Sequence, residues 1–234
     1  MDFEWSDDDL QQTVSEGHWV AENVNFASTT TVGTLVPAAF DAYARILYPV
    51  HISDPNGSKR LVRWSDIARH TGAIAHAEME LHAIEAKGEH GFLRSNPPTA
   101  ATPVLDWHNQ LAGVVEVLAE HTSTPDDCWF AIWEGNTSLD DIRATTPTVA
   151  INGDNYFLLR GPVARATISY RALSPHIWWP ADHAWCMVAH FDFPCVYLGG
   201  SQLAVDAVLA IPEIEAWPAR VGQNVTANND QVNR

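Results

Sequence analysis

The spacing of apolar residues in the first half of the chain predicts helices. In the stretch VPAAFDAYARILYPV, residues 36–50, the side chains of Phe40, Tyr43 and Leu47 recur at the spacing of one helix face. A proline stands near each end of the stretch, where a helix accepts it in the first turn or stops before it. The pattern therefore predicts a helix over residues 36–50.

Three further helices are predicted from the same periodicity. In the stretch WSDIARHTG, Ser65 can cap the start of a helix and Gly72 closes its end, which predicts a short helix over residues 64–72. Residues 73–88 carry an apolar stripe that includes Ile74 and Ile84, and they predict a third helix. The run VLDWHNQLAGVVEVLAEH predicts a long amphipathic helix over residues 104–121.

The pattern changes after residue 127, where short strand-like runs alternate with two helical ones. The Asn-Gly pair in INGDN favours a tight hairpin turn, because both residues tolerate positive φ. The predicted strands cover residues 128–134, 148–152, 156–160, 185–192, 195–198 and 214–218, and the predicted helices lie near 163–170 and at 202–210. These elements predict an α+β protein, in which an N-terminal helical part precedes a mostly antiparallel sheet with helices on one face.

Composition along the chain suggests three parts. They are an acidic N-terminal segment over residues 1–30, a helical subdomain with a linker over 31–103, and an α+β sheet domain over 104–234. Three prolines and no periodicity between residues 88 and 103 indicate the linker. One integrated domain is the alternative. The polar C-terminal tail, QNVTANNDQVNR, is expected to be held loosely.

Strand parity predicts a mixed aromatic and charged face on the sheet. Side chains alternate between the two faces of a strand, so the plain apolar sets are expected to pack beneath the helices. The remaining candidates for recognition lie on the opposite face: Trp129, Trp133, Tyr156, Arg160, His190 and Asp192. Trp178, from the extended, proline-bracketed segment IWW, joins them as a seventh candidate. Phe191 is placed by parity on the core face.

Two interpretations of this face remain open. Aromatic rings with a few polar groups are typical of a ligand or partner surface. Alternatively, the N-terminal helices cover the face, because exposed apolar patches beyond a few hundred Å² are rare. In that case Arg160 and Asp192 form an interior ion pair, and His190 is hydrogen-bonded to backbone.

The charge of the chain narrows the classes of partner. There are 29 acidic against 13 basic residues, for a formal net charge of −16. Such a charge repels phosphate groups, so neither a nucleic acid nor an anionic membrane is expected as a partner. The acidic N-terminus does not resemble a signal peptide, and no run approaches the ~20 apolar residues of a membrane span. A cytoplasmic protein is therefore predicted.

The sequence contains no recognisable catalytic or metal motif. Its three cysteines, Cys128, Cys186 and Cys195, have no metal-binding spacing and are expected to be buried, reduced thiols. The turn Gly199-Gly200-Ser201 is not a phosphate loop. No metal and no cofactor is expected from these motifs, although a zinc site built from distant residues among the eleven histidines is left open. The pattern identifies no catalytic residue.

Several stretches resemble a widespread family of uncharacterised bacterial proteins from high-GC Gram-positive lineages. They are VPAAFDAYARILYPV, RWSDIA, HTSTPDDCWFAIWEG, YFLLRGP and WWPADHAWCMVAHFDFPCVYLGGS. The resemblance covers most of the chain from about residue 32 onward, and it implies no established activity.

Two functional hypotheses follow. The first is a cytosolic, non-enzymatic recognition protein, similar in manner to an immunity or inhibitor protein, which holds a basic protein partner through its acidic surface and Trp-rich face. The second is an enzyme or small-ligand sensor, in which Arg160 holds a small anionic ligand and His190, assisted by Asp192, moves a proton. The oligomeric state is left open.

Overall fold

The computed structural model describes residues 4–24, 30–53, 59–86, 108–226 and 229–234. Six α-helices are present in this part of the chain: α1 Ser15–Asn23, α2 Val32–Leu35, α3 Trp64–Thr71, α4 Leu81–Ala86, α5 His108–Glu120 and α6 Gln202–Leu209. The ten described strands are β1 Ala42–Leu47, β2 Val50–Ser53, β3 Lys59–Val62, β4 Cys128–Trp133, β5 Val149–Ile151, β6 Asp154–Gly161, β7 Ile177–Pro180, β8 Trp185–Val188, β9 Cys195–Gly200 and β10 Glu215–Ala219.

Eight of the strands form one sheet in the order β10-β1-β9-β8-β7-β4-β6-β5, and every neighbouring pair is antiparallel. The remaining strands, β2 and β3, form a separate two-stranded hairpin. The predicted α+β fold with a mostly antiparallel sheet is thus confirmed.

Helices lie against both faces of the sheet. The face that carries Phe130, Trp178 and Met187 packs beneath α5 and α6. Of the two helices expected on this face, the one at 202–210 is α6, whereas the residues near 163–170 form only a short 3-10 helix. The face that carries Trp129 and Trp179 packs against apolar side chains of the N-terminal helices α1 to α4. Both faces of the central strands are therefore buried.

The helix predicted over residues 36–50 is wrong, because this stretch contains strand β1. Tyr43 and Leu47 do share a face, but Ala44 and Ile46 are fully buried on the other. A strand buried on both sides has no polar face to reveal its period of two, so the chance spacing of Phe40, Tyr43 and Leu47 imitates a helix. β1 pairs with β9 on one side and β10 on the other.

The helix predicted over residues 73–88 is correct only for its second half. Residues 73–80 form an irregular segment with one turn at 77–78, and Ile74 is 60% exposed instead of facing the core. The predicted stop at Gly88, the linker over 88–103 and the start of the helix over 104–121 lie outside the described residues. The helix over 64–72 is confirmed by α3, and the described part of the long helix by α5.

The hairpin predicted at INGDN is confirmed. Strands β5 and β6 pair from Val149 with Tyr156 to Ile151 with Asp154, which leaves Asn152 and Gly153 as the two-residue turn. Both turn residues have positive φ, 51° and 94°, as a type I′ turn requires. The segment IWW is also in the sheet, as strand β7, whereas the helix expected near 163–170 is only a short 3-10 helix, Val163–Thr167.

The C-terminal tail is anchored, and the expectation of a loose tail is wrong for residues 229–234. The Asp230 carboxylate lies 3.0 Å from His76 Nε2 and accepts hydrogen bonds from the backbone N–H groups of Glu80, Val232 and Asn233. Burial raises the pKa of Asp230, but hydrogen bonds led by those from Asn233 outweigh it and bring the pKa to about 2. A buried carboxylate with this many donors ties the tail to the body of the protein.

We expect Asp230→Asn to lower the free energy of unfolding by about 2 kcal/mol, because an amide NH₂ would face donors that now share a carboxylate. The folded-state pKa is depressed, so this contribution is present above about pH 4 and disappears as the pH falls towards 2. Urea denaturation at neutral pH measures the loss, and faster amide exchange at Val232 and Asn233 shows that the tail has detached. Asp126→Asn, at an exposed position, is the control. Equal stability of the two variants would contradict the anchoring role.

Among the helices in the described ranges, none combines the length and apolar character that crossing a bilayer requires.

Candidate functional site

The candidate site lies at one end of the large sheet, where β4 and β8 end and β7 and β9 begin. The antiparallel register brings Trp133 at the end of β4 close to the start of β7, and Val188 ends β8 opposite Ile177. Residues 189–194 then form a turn between β8 and β9. The strand predicted over residues 185–192 is thus four residues too long, which changes the direction of every side chain after Val188.

Three rings from two parts of the chain form a continuous aromatic stack, namely Trp133, Phe191 and His190. The centroid of the Phe191 ring lies 4.4 Å from that of Trp133 and 4.3 Å from that of His190, with interplanar angles of 28° and 29°. Gly135 packs directly against the Trp133 ring, since a Cβ atom at residue 135 would stand only 2.1 Å from that ring. Phe191 is 43% exposed although neighbouring rings cover it. The stack therefore presents a rigid apolar edge to solvent.

His176 supports the stack from inside. Its Nδ1 accepts a hydrogen bond from the backbone N–H of Trp133 at 3.1 Å, and its ring meets Phe191 edge-on with centroids 6.1 Å apart. Burial, together with the nearby His190, lowers the pKa of His176 to about 4. A neutral imidazole is required here, because only the neutral ring can accept the Trp133 hydrogen bond.

His190 lies between two carboxylates. Its Nε2 is 3.9 Å from Oδ2 of Asp154 at the start of β6, and its Nδ1 is 3.9 Å from Oδ2 of Asp192. Nδ1 also accepts a hydrogen bond from the backbone N–H of Asp192 at 3.2 Å. Burial lowers the pKa of His190, and the charges of Asp192 and Asp154 oppose that shift. His190 and Asp192 are neighbours, as predicted, and Asp154 is a third member that the sequence did not reveal.

Tyr156 lies beside this site in the interior. It is buried, and burial raises the pKa of its hydroxyl, so the group stays neutral. A cleft between Tyr156, His190 and residues of α2 and β7 has a volume of about 10 Å³. That volume holds about one water molecule, whereas pockets for small ligands measure some 300–1,000 Å³.

Arg160 and Trp129 lie at the opposite end of β6 and β4. The Arg160 guanidinium forms two hydrogen bonds to the Asp127 carboxylate, at 2.6 and 2.7 Å, and stands 5.1 Å from the Trp129 ring centroid. The predicted ion pair between Arg160 and Asp192 is therefore wrong. Six residues of strand separate Arg160 from Asp154, or roughly 20 Å, so Arg160 cannot act together with His190.

Parity places Trp129, Trp133 and Tyr156 on one face, as expected, but the N-terminal helices cover most of it and bury Trp129 and Tyr156. Trp178 is on the other face and only 1% exposed. Of the seven candidate residues, the structure thus brings Trp133, Tyr156, His190 and Asp192 together at one end of the sheet.

Sequence reasoning missed Phe191 and His176. Phe191 was placed on the core face because the strand was extended to residue 192, and a turn ending at Pro194 was the signal that it stops earlier. His176 precedes β7, and the hydrogen bond from Trp133 that gives it a role joins residues 43 positions apart. Such a contact leaves no periodic trace in the sequence.

The three cysteines are free and buried, as expected, and burial raises the pKa of the Cys186 and Cys128 thiols, the latter to about 12. Both thiols therefore remain protonated at neutral pH. Within the described ranges, no group of three or more His, Cys, Asp or Glu side chains is placed to hold a metal ion.

Comparison with protein-family models, with curated proteins and with solved structures finds no match to this chain. Membership of the bacterial family that the sequence resembles therefore stays a prediction.

Proposed function

We propose that this chain is a cytoplasmic, non-enzymatic recognition protein that holds a basic protein partner at the exposed end of its large sheet, in the manner of an immunity or inhibitor protein. The observation that carries the proposal is Phe191, 43% exposed, stacked between Trp133 and His190 and bordered by the carboxylates of Asp154 and Asp192.

The rigidity of the stack supports this function. A large apolar side chain that is held by its neighbours loses little conformational freedom when a partner covers it, and such anchors contribute most of the affinity of many protein interfaces. Phe191 is fixed by Trp133 and His190, and Trp133 is fixed in turn by Gly135 and by His176.

The electrostatics of the site favour a basic partner. Asp154 and Asp192 lie beside the stack, each with a carboxylate oxygen 3.9 Å from a nitrogen of the His190 ring. The net charge of the whole chain, −16, adds a long-range field of the same sign. Complementary charge of this kind speeds the encounter of two proteins and excludes acidic competitors.

The alternative, an enzyme or sensor with an anion site at Arg160, has less support. The Arg160 guanidinium already donates two hydrogen bonds to the Asp127 carboxylate. The cleft next to His190, at about 10 Å³, has no room for a substrate.

Binding of a labelled peptide of about ten alternating arginine and leucine residues, followed by fluorescence anisotropy, tests the proposal. We expect Phe191→Ser to weaken this binding by about tenfold or more, because it removes the apolar anchor. Leu203→Ser is the matched control, since Leu203 is 74% exposed on α6, on the other side of the sheet. An equal effect of the two variants, or no binding by the native chain, would overturn the proposed function.

A second pair of variants separates the local charge from the net charge of the chain. Asp154→Asn is expected to weaken binding of the same peptide by about threefold, and Glu116→Gln, at an exposed position on α5, to leave it nearly unchanged. The two substitutions remove the same charge, so equal losses would indicate non-specific attraction and not a defined site.

A further inference from the structure

We propose that mild acid releases the basic partner, because His190, once protonated, pairs with Asp154 and Asp192 and takes these two carboxylates away from the partner. This inference rests on the proposed function. It is based on the position of one imidazole ring, whose two nitrogens each lie 3.9 Å from a carboxylate oxygen, of Asp154 and of Asp192, and which forms one layer of the aromatic stack.

The neutral ring leaves both carboxylates available. With Nδ1 accepting the Asp192 N–H, the single proton of neutral His190 is on Nε2, which lies 3.9 Å from Asp154, longer than a hydrogen bond. Asp154 and Asp192 are 35% and 72% exposed at their side chains. A lysine or arginine of a partner can therefore reach them from solvent.

Protonation changes this arrangement in two ways. Nδ1 gains a proton, so it can no longer accept the Asp192 N–H and becomes a donor to the Asp192 carboxylate. The ring also gains a positive charge 3.9 Å from each of the two carboxylates. The internal cation then replaces the cation of the partner, and it repels any basic group that approaches Phe191.

The titratable groups that face His190 come from β6, from the turn after β8 and from the residue before β7. Asp154 from β6 and Asp192 from the turn are the two acids at the ring, and Tyr156 from β6 stays neutral because burial raises the pKa of its hydroxyl. His176, before β7, has a pKa of about 4. The pKa of His190 is lowered by burial, against the opposing charges of the two acids, so its titration is expected below the ordinary histidine value of about 6.5.

The first arm of the test needs no partner. In an NMR titration of the free protein from about pH 7.5 to about pH 5, the side-chain carboxylate shifts of Asp154 and Asp192 are expected to follow the imidazole shifts of His190 with one midpoint. In His190→Gln, which cannot take a proton, this shared step is expected to vanish. If the two carboxylates show no step at the His190 midpoint, the proposed pairing is wrong, whatever the protein binds.

The second arm measures binding of the arginine–leucine peptide across the same pH range. The native chain is expected to lose about five- to tenfold in affinity on acidification, and His190→Gln to lose less than about twofold. His121→Gln, after α5 on the other side of the sheet, is the control and is expected to behave like the native chain. Peptide binding that does not change with pH would overturn this inference and leave the proposed function intact. An absence of peptide binding at every pH would overturn both the proposed function and this release mechanism.

Discussion

Replacing Arg45 with methionine is expected to lower the free energy of unfolding by about 3–5 kcal/mol. Arg45 lies in the middle of β1 and is only 3% exposed. Its guanidinium donates to the carbonyl oxygens of Ala77 and Met79, lies 3.6 Å from the Glu80 carboxylate and stands 5.4 Å from the ring of Trp64. Methionine fills much of the volume but leaves the carboxylate and both carbonyl groups without their donor.

The expected loss of stability is large because removing one partner of a buried ion pair costs far more than replacing both partners. Such a pair adds little relative to apolar residues of the same shape, but the loss of one partner leaves the other charge buried and uncompensated. Burial already raises the pKa of Glu80, and the positive charge of Arg45 is the main influence that opposes this shift. Without Arg45, the Glu80 carboxyl group is expected to take up a proton at a higher pH.

Urea denaturation of three variants measures this prediction. Arg69→Met is the matched control, because Arg69 forms an exposed ion pair with Asp66, and it is expected to cost less than about 1 kcal/mol. The double variant Arg45→Met with Glu80→Leu is expected to recover part of the stability, since it removes both charges. If Arg45→Met were as mild as Arg69→Met, the buried cation would have no structural role.

Acidification from about pH 6.5 to about pH 4 is expected to destabilise the folded chain by about 3 kcal/mol through His176 alone. The pKa of His176 in the folded protein is about 4, because the ring is buried, whereas in the unfolded chain it is near 6.5. The unfolded state therefore binds a proton in this range that the folded state does not, so stability falls as the pH falls. The loss is complete below about pH 4, where both states bind the proton.

The variant His176→Asn separates this contribution from those of other groups. Asparagine keeps an acceptor for the Trp133 N–H at the position of Nδ1 but does not titrate, so it is expected to flatten the dependence of stability on pH between about 6.5 and 4. His121→Asn is the control, and it should leave the slope unchanged. If the slope of His176→Asn equalled that of the native chain, His176 would not be the buried neutral base that the structure indicates.

Arg45 and His176 also show why some parts of the structure could be predicted from the sequence and others could not. The elements with a local signal were predicted well: α3 has its terminal glycine, Gly72, at φ 76°, and the β5–β6 turn has its Asn-Gly pair. Arg45 and His176 have no such signal. Their burial depends on Glu80 and Trp133, which lie 35 and 43 positions away in the chain, and the apolar spacing around Arg45 was mistaken for a helix.

The candidate site, too, was predicted where its features depend on local sequence and missed where they do not. Parity correctly put Trp129, Trp133 and Tyr156 on one face, because alternation along a strand is a local property of the backbone. It failed at Phe191, because β8 ends at Val188, four residues before the predicted end of the strand. Once the strand stops at Val188, the turn directs Phe191 towards solvent between Trp133 and His190.

The sequence alone determined the fold class, the negative charge, the hairpin and most of the strands after residue 127, since each of these depends on composition or on contacts between near neighbours. Only the tertiary structure decided that β1 is a central strand, that the N-terminal helices cover the tryptophan-bearing face, and that Arg160 pairs with Asp127. The physical reason is that exposure, pairing and pKa are set by groups brought close in space from distant parts of the chain.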